Sequence, residues 1–425
     1  MARRLYSLLL ALALPLVLAR LWWRGAREPG YRRAIAERFG RYAARAERPV
    51  LWVHAVSVGE VRAAAPLVRA LAAARPDHQV LLTCMTAAGR DTIAQVYGVY
   101  GDTVLGGFLP YDLPGGMRRL LRHFRPRLAI LMETEVWPNL VAACAEAGVP
   151  VMLANARMSE KSARGYARWP RLFRPTFATL AAVCAQSEED AARLRALGAA
   201  DAKVAGNIKF DVEPEPAKLA AGHALRREMA RPVLLLASTR EGEEAMLLDA
   251  LADLDPDTLL VLVPRHPQRF DEVDALARAR GWAVVRRSSG GLPGAGRSLV
   301  LGDSMGEMAF YYGLADVAVI GGSFGGTGGQ NLIEACACGA PVVIGPSVFN
   351  FSEATRLAVA AGAALQVPDA AQAVQGARRI LGDPALRERM SAAGRALCAG
   401  HRGAAARHVG VALARLDEAT APARR

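Results

Sequence analysis

The chain has 425 residues, 52% of them hydrophobic. That supports two or three domains with sizeable cores and excludes wholesale disorder. The net charge is +13, and the first 50 residues alone hold eleven Arg against three Glu. The excess is local, so it points to one anionic surface, a bilayer or a nucleic acid, and not to a protein basic all over.

The N-terminus favours the bilayer. After Arg3 and Arg4 comes LYSLLLALALPLVLA (5–19), then RLWWRGAREPGYRRAIAERFGRY (20–42). As a helix the apolar run is about 22 Å long, short of a ~30 Å hydrocarbon core. With Leu21 to Trp23 added and Arg20 snorkelling it reaches a span. The Trp22–Trp23 pair and the flanking arginines suit a membrane interface. Residues 1–24 are therefore expected to be a membrane anchor, spanning or monotopic, with the basic segment behind it on the anionic inner leaflet. A cleavable leader is the competing reading, with Val17 and Ala19 at the −3 and −1 positions. The arginines after Ala19 oppose export and favour the cytoplasmic side. No aromatic and basic platform stands out, so no nucleic acid is expected as a partner.

From residue 50 on, short apolar runs alternate with helical patterns. Strands are expected at Val50–Ala55, Gln79–Thr83, Leu128–Met132, Val151–Ala154 and Ala182–Ala185. A second series is Val233–Ala237, Thr258–Val263, Ala283–Val285, Ser298–Leu301, Val317–Ile320, Pro341–Ile344 and Ala364–Val367. This alternation predicts a parallel α/β architecture. Between the series, FDVEPEPAKLA (210–220) carries two prolines and several acids. Residues 212–217 are expected to be a hinge between a domain of residues 25–211 and one of residues 218–425, with the last helix free to pack back on the first. Two Rossmann-like halves joined there predict a cleft walled by the C-terminal ends of both sheets, where ligands bind. The closing APARR (421–425) is expected to fray. Six scattered cysteines, Cys84, Cys144, Cys184, Cys336, Cys338 and Cys398, lack disulfide or zinc spacing and read as core thiols in a reducing compartment.

Polar clusters follow the strands. In HAVSVGE (54–60), Glu60 stands where a strand gives way to a helix. An acid there compensates the helix dipole; it is equally placed to be a base on a cleft rim. The run GGSFGGTGGQNLIE (321–334) leads from a strand into a helix starting near Asn331. Its glycines allow close backbone approach, and free N–H groups at a helix start attract phosphate or carboxylate. Glu334, one turn in, is placed to accept ribose hydroxyls; otherwise it is a first-turn acid behind a loose loop. Residues 321–325 also match G-x-S-x-G, with Asp369 and His401 in hydrolase order, but five more loop residues intervene before the helix, against a nucleophile elbow. Asp253, Asp255 and Asp257 look like a metal-binding D-x-D yet precede a strand, and read as a turn. No metal and no cofactor are expected. Only four of the 53 basic residues are Lys, which singles out Lys209 in GNIKFD as a compact point charge. Arg265 and His266 follow a strand directly and are expected to face the cleft.

In order along the chain, METEVWPN (132–139), ANARMSEKSARGY (154–166), GNIKFD (206–211) and VPRHPQRF (263–270) resemble the Kdo transferase family, the 3-deoxy-D-manno-octulosonic acid transferases of lipopolysaccharide assembly. The likeness runs from YRRAIAERFGRY (31–42) to GPSVFNFSEA (345–354). It implies a GT-B fold of two Rossmann domains with an N-terminal membrane anchor. It also implies an inverting, metal-independent glycosyltransferase that moves Kdo from the donor CMP-Kdo to a tetraacylated lipid A precursor, lipid IVA, at the cytoplasmic face of the inner membrane. By the resemblance, Glu60 matches the catalytic base, and Glu133 and Lys209 match residues that support the transition state. Pro264 and Arg265, Met305, Gly306 and Glu307, and Asn331, Leu332, Ile333 and Glu334 match CMP-binding segments.

Two departures stand out. Many relatives have a basic residue and then Gly-Gly-His before the Asn, where this chain has Thr327 and Gln330; Arg240 stands where His is common. Gln330 keeps hydrogen bonding without charge, which leaves that loop's contact with donor open. The residue chemistry fits the implied reaction. An anionic donor needs cations such as Arg265 and Lys209, and a carboxylate can take the proton of a hydroxyl attacking an oxocarbenium-like carbon. The alternatives are another GT-B nucleotide-sugar transferase or epimerase, which nucleotide preference separates, and a non-catalytic membrane sugar-phosphate binder, which would bind donor without transfer.

Overall fold

The structure is a computed structural model and describes residues 1–229, 231–291 and 294–420; the closing segment 421–425, expected to fray, lies outside them. The chain forms two compact units. The first runs from Met1 to Asp211 and regains the chain from Arg402; the second is Val212–His401.

In the first unit β1 (Val50–His54), β2 (Gln79–Cys84), β3 (Val104–Phe108), β4 (Pro126–Met132), β5 (Val151–Ala156), β6 (Ala182–Ala185) and β7 (Ala202–Val204) make one parallel sheet in the order β3-β2-β1-β4-β5-β6-β7. Every residue of β1, β2, β5 and β6 is buried. Helices cover both faces, which is why these strands read as continuous apolar runs instead of alternating ones. The second unit repeats the plan with β8 (Val233–Thr239), β9 (Leu259–Pro264), β10 (Ala283–Arg286), β11 (Ser298–Leu301), β12 (Val317–Ile320), β13 (Val342–Ile344) and β14 (Ala364–Gln366), in the order β10-β11-β9-β8-β12-β13-β14. Strand order reverses between β1 and β4 in one sheet and between β8 and β12 in the other. Such switch points leave a crevice at the C-terminal strand ends.

Every run expected to be a strand is one. Two strands were not expected, β3 and β7. In β3 the sequence VLGGF hides the pattern behind glycines whose absent side chains have a purpose. A Cβ on Gly106 would lie 3.0 Å from Ile93 Cγ2, and one on Gly107 would lie 3.3 Å from the Tyr42 ring. The second, β7, is a three-residue edge strand, too short to carry a period.

The N-terminal apolar segment is one helix, α1 (Ala2–Arg27), which continues through the Trp pair and past Pro15. By length and composition it can cross a membrane. It is also fastened to the first unit. Tyr6 Oη donates to Asp112 Oδ2 (3.0 Å), Ser7 pairs with the Asn139 side chain, Arg3 bridges to Glu146 (3.0 Å), and Leu21 packs with Tyr31 and Ala87.

The second unit contains a close backbone crossing. A Cβ on Gly222, in helix Pro216–Glu228, would sit 2.2 Å from Phe310 O, and one on Gly313, in helix Met308–Leu314, would sit 2.7 Å from Leu219 O. Neither backbone can yield cheaply. Gly222→Ala is therefore expected to destabilise the protein by about 1–3 kcal/mol through overpacking, read as a lower Tm with unchanged far-UV circular dichroism below the transition.

Candidate active site

Glu60 sits at the β1 edge of the first switch point. Ser57 caps helix Val58–Ala63, its Oγ accepting from the Glu60 N–H (3.4 Å), while Glu60 Oε2 accepts from the Val56 N–H (2.7 Å). This is a capping box shifted back by one residue. It holds the carboxylate in one place, so the dipole reading and the base reading of the seam are compatible. Across the switch point, after β4, Glu133 adopts a left-handed backbone (φ 53°). That conformation costs a non-glycine residue about 1–3 kcal/mol. It is held by Glu133 N–H donating to Ala154 O (2.9 Å) and by the Arg157 N–H. Lys209 Nζ lies 2.9 Å from Glu133 Oε1, with both side chains largely buried. The three residues are thus gathered at one end of one sheet.

Burial, then the nearby Glu133 charge and more weakly Glu135, push the Glu60 carboxyl up to about 8; the Val56 N–H and Lys209 oppose this. Glu135 is raised as well, chiefly by burial and against its bond from Trp137 Nε1 (2.7 Å). Beneath them His54 is fully buried with its Nδ1 on Thr83, and burial lowers it to about 3, so it stays neutral.

Lys209 is positioned by a network that the sequence reading missed. It lies on a single turn, Ile208–Phe210, whose cap Asn207 accepts from the Lys209 N–H (3.0 Å). Asn207 Nδ2 donates to Gln186 Oε1 (3.0 Å), and Gln186 Nε2 donates to Asn155 O (2.9 Å). Asn155, buried and left-handed (φ 51°), accepts the Ile208 N–H on Oδ1 (3.0 Å) and gives its own N–H to His408 Nε2 (2.9 Å). His408 belongs to the final helix, Ala404–Thr420, whose start is capped by Asp211 through the Gly403 and Ala405 N–H groups. Burial lowers the His408 pKa, keeping Nε2 an acceptor. Asn155, Asn207 and Glu135 lie inside motifs singled out above. His408 stands 253 residues from its partner and left no local signal.

In the second unit, Pro264 ends β9 and Arg265 follows it, with Arg265 N–H on Thr239 O (2.9 Å) and Nε on Gln330 Oε1 (3.2 Å). Glu334 lies one turn into helix Leu332–Cys338. Burial raises its pKa, opposed by the Arg265 charge. Asn331 caps that helix (Oδ1 to the Ile333 N–H, 3.0 Å), while Leu332 and Ile333 are buried core side chains. Met305, Gly306 and Glu307 gather around other partners. The Gly306 carbonyl accepts from Lys218 Nζ (3.1 Å), and Glu307 bonds Ser304 and pairs with Arg287 (3.5 Å).

The glycine-rich loop is braced from inside by a carboxylate of the chain. Its N–H groups at Gly322 (2.6 Å), Phe324 (2.8 Å) and Gly325 (3.3 Å) all donate to the Glu243 carboxylate, which is fully buried and also takes the Arg240 N–H (2.9 Å). The helix start that is expected to attract phosphate or carboxylate lies further along, at Asn331 and Leu332. The hydrolase alternative fails in the same region. Ser323 is fully buried with its Oγ between Ile320 O (2.6 Å) and the Gly345 N–H (2.8 Å), Asp369 caps a helix, and His401 bonds Leu397 O. Asp255 accepts the Asp257 N–H within a turn (2.9 Å).

The fold is shared with the UDP-GlcNAc 2-epimerase of Neisseria meningitidis, solved with UDP-GlcNAc, at a TM-score of 0.57 and 17% identity, covering 86% of this chain and 100% of that one. The family described as glycosyl transferases group 1 matches residues 295–397, within the second Rossmann-like unit; that match, together with the family and relatives that follow, makes this a glycosyltransferase. The family described as 3-deoxy-D-manno-octulosonic-acid transferase matches residues 33–212. The chain is 48% identical to the 3-deoxy-D-manno-octulosonic acid transferase of Bordetella pertussis, covering 96% of this chain and 98% of that relative. It is 36% identical to the enzyme of the same name in Haemophilus influenzae, covering 95% and 96%. The chain belongs to the 3-deoxy-D-manno-octulosonic acid (Kdo) transferase family.

Two outcomes are expected. The folded-state pKa of Glu60, about 8, lies above the ordinary carboxylate value of 4.5, so as pH rises the unfolded chain releases this proton first. Stability from this group therefore falls between those values. Glu60→Gln should melt above wild type at pH 9, and the gap should close by pH 4. His408→Leu should cut kcat on the order of 10- to 100-fold by letting Lys209 drift, whereas His408→Gln, which keeps an acceptor, should restore most of it at similar Tm.

Proposed function

We propose that the protein transfers Kdo with inversion from CMP-Kdo to lipid IVA, with Glu60 as general base and without a metal. The observation that carries this reading is the gathering of Glu60, Glu133 and Lys209 at one end of the first sheet, where burial and the Glu133 charge push the Glu60 carboxyl up to about 8, toward the proton affinity of a neutral-pH base. The acceptor hydroxyl gives its proton to Glu60 as its oxygen bonds the anomeric carbon. The bond to the CMP phosphate breaks, and its electron pair leaves with CMP. Lys209, held by Glu133, supplies positive charge where the reacting groups are anionic. Arg265, steadied by Gln330, meets the donor phosphate, and Glu334 accepts ribose hydroxyls. The α1 helix holds the enzyme to the cytoplasmic face of the inner membrane, where the acceptor resides.

The direct experiment supplies labelled Kdo as CMP-Kdo made in situ, adds lipid IVA, and counts product by mass. Glu60→Gln should lose about 10²–10⁴-fold in transfer while CMP still raises its Tm. Wild-type kcat/KM should climb with pH through about 8 as Glu60 ionises; a flat profile from pH 6 to 9 would remove Glu60 from the role. CMP should stabilise the protein more than UDP or GDP, and an equal response to UDP would favour a different nucleotide sugar.

A further inference from the structure

A pocket of about 320 Å³ lies between α1 and the body of the first unit. One wall is a stripe of α1 carrying Leu10, Leu14 and Val17, spaced to share one helix face. The facing wall is aromatic, built by Trp137, Tyr166 and Phe173. At one end Tyr6 is fastened to Asp112, whose carboxylate also takes the Asn139 (3.0 Å) and Leu140 (2.8 Å) N–H groups. The hollow is therefore held open by polar bonds that tie helix to unit. The remaining face of α1 presents Leu5, Leu8, Leu9, Leu12 and Leu16, each more than half exposed. This helix is apolar both outward and toward the pocket, so hydrocarbon is the medium on its far side.

Trp137 links the pocket to the chemistry. Its ring lines the hollow, its edge meets His54 (centroids 5.8 Å apart), and its Nε1 donates to Glu135, beside Glu133 in the same loop. One side chain separates an apolar hollow from the carboxylate cluster.

We infer that this pocket receives one acyl chain of the lipid acceptor, so that α1 is a wall of the acceptor site as well as an anchor. The inference rests on the lipid-acceptor reading above. The volume is at the lower end of the ~300–1,000 Å³ typical of ligand pockets, which suits a single chain and not a whole lipid. A chain lodged there places its own head group, and no other lipid's, next to the Trp137 side of the cluster.

The test uses full-length protein and two acceptors, the tetraacylated precursor and its fully deacylated disaccharide bisphosphate. Leu14→Trp and Phe173→Trp narrow the pocket from opposite walls, and Leu14→Ala widens it. Narrowing should raise KM for the acylated acceptor at least tenfold and leave kcat, and both constants for the deacylated one, unchanged. Equal changes on both acceptors, or no change in variants with wild-type Tm, would overturn the proposal. If the narrowed variants melt early, a mid-chain diazirine on the acylated acceptor decides. It should label α1 or segment 166–173, with protection by unlabelled acceptor and not by phosphatidylethanolamine vesicles. Equal protection by the vesicles makes this a bulk-lipid site and overturns the assignment. Wild type that transfers to neither acceptor refutes the lipid-acceptor reading itself, an outcome distinct from the KM pattern.

Discussion

The first unit is organised around a crowding of negative charge. Glu60, Glu133 and Glu135 share a partly buried corner, and Lys209 pairs with Glu133 there at 2.9 Å. Desolvation disfavours a second unpaired charge there, so Glu60 keeps an affinity for a proton that an exposed carboxylate lacks. The loops after β1, β4 and β7 meet at this point, and the Asn155, Gln186, Asn207 and His408 bonds hold the lysine in register. A left-handed Glu133, just after β4, and a left-handed Asn155, near the end of β5, are strained positions on neighbouring strands, stabilised by the bonds around them.

The second unit shows the same ingredient with the opposite outcome. Glu243 is more deeply buried than Glu60, yet four backbone N–H groups converge on it, whereas Glu60 receives one from Val56. A carboxylate tied by four backbone donors is committed to the structure; one tied by a single donor keeps lone pairs for a proton. Glu243 thus fixes the shape of the glycine-rich loop from inside. The two departures in that loop follow the same logic. Thr327 Oγ1 donates to Gly322 O (2.9 Å), closing the loop, and Gln330 offers Arg265 a neutral oxygen. A protonated His in place of Gln330 has no lone pair to give.

Much of this was legible in advance. Continuous apolar runs announced the strands because both sheet faces are covered, and Glu60 was placed where a strand gives way to a helix. The motifs METE and NIKF marked Glu133 and Lys209, and the sheet order brings them together. The misses have physical causes. β3 is glycine-rich because Ile93 and Tyr42 crowd it, β7 is an edge too short for a period, and α1 runs beyond its apolar stretch because arginines and tryptophans are acceptable helix formers on an exposed face.

The sequence alone determined the local grammar: which runs become strands, where helices begin, and which charged residues stand at strand ends. Those depend on neighbours within a turn or a pleat. Only the tertiary structure decided which carboxylate is held by a single backbone donor, which is cradled by four, and that a histidine in the last helix steadies a lysine two hundred residues earlier (His408 and Lys209 in chain order). Proton affinity and hydrogen-bond satisfaction are set by what surrounds a group in space, and the chain order of those surroundings carries no mark of it.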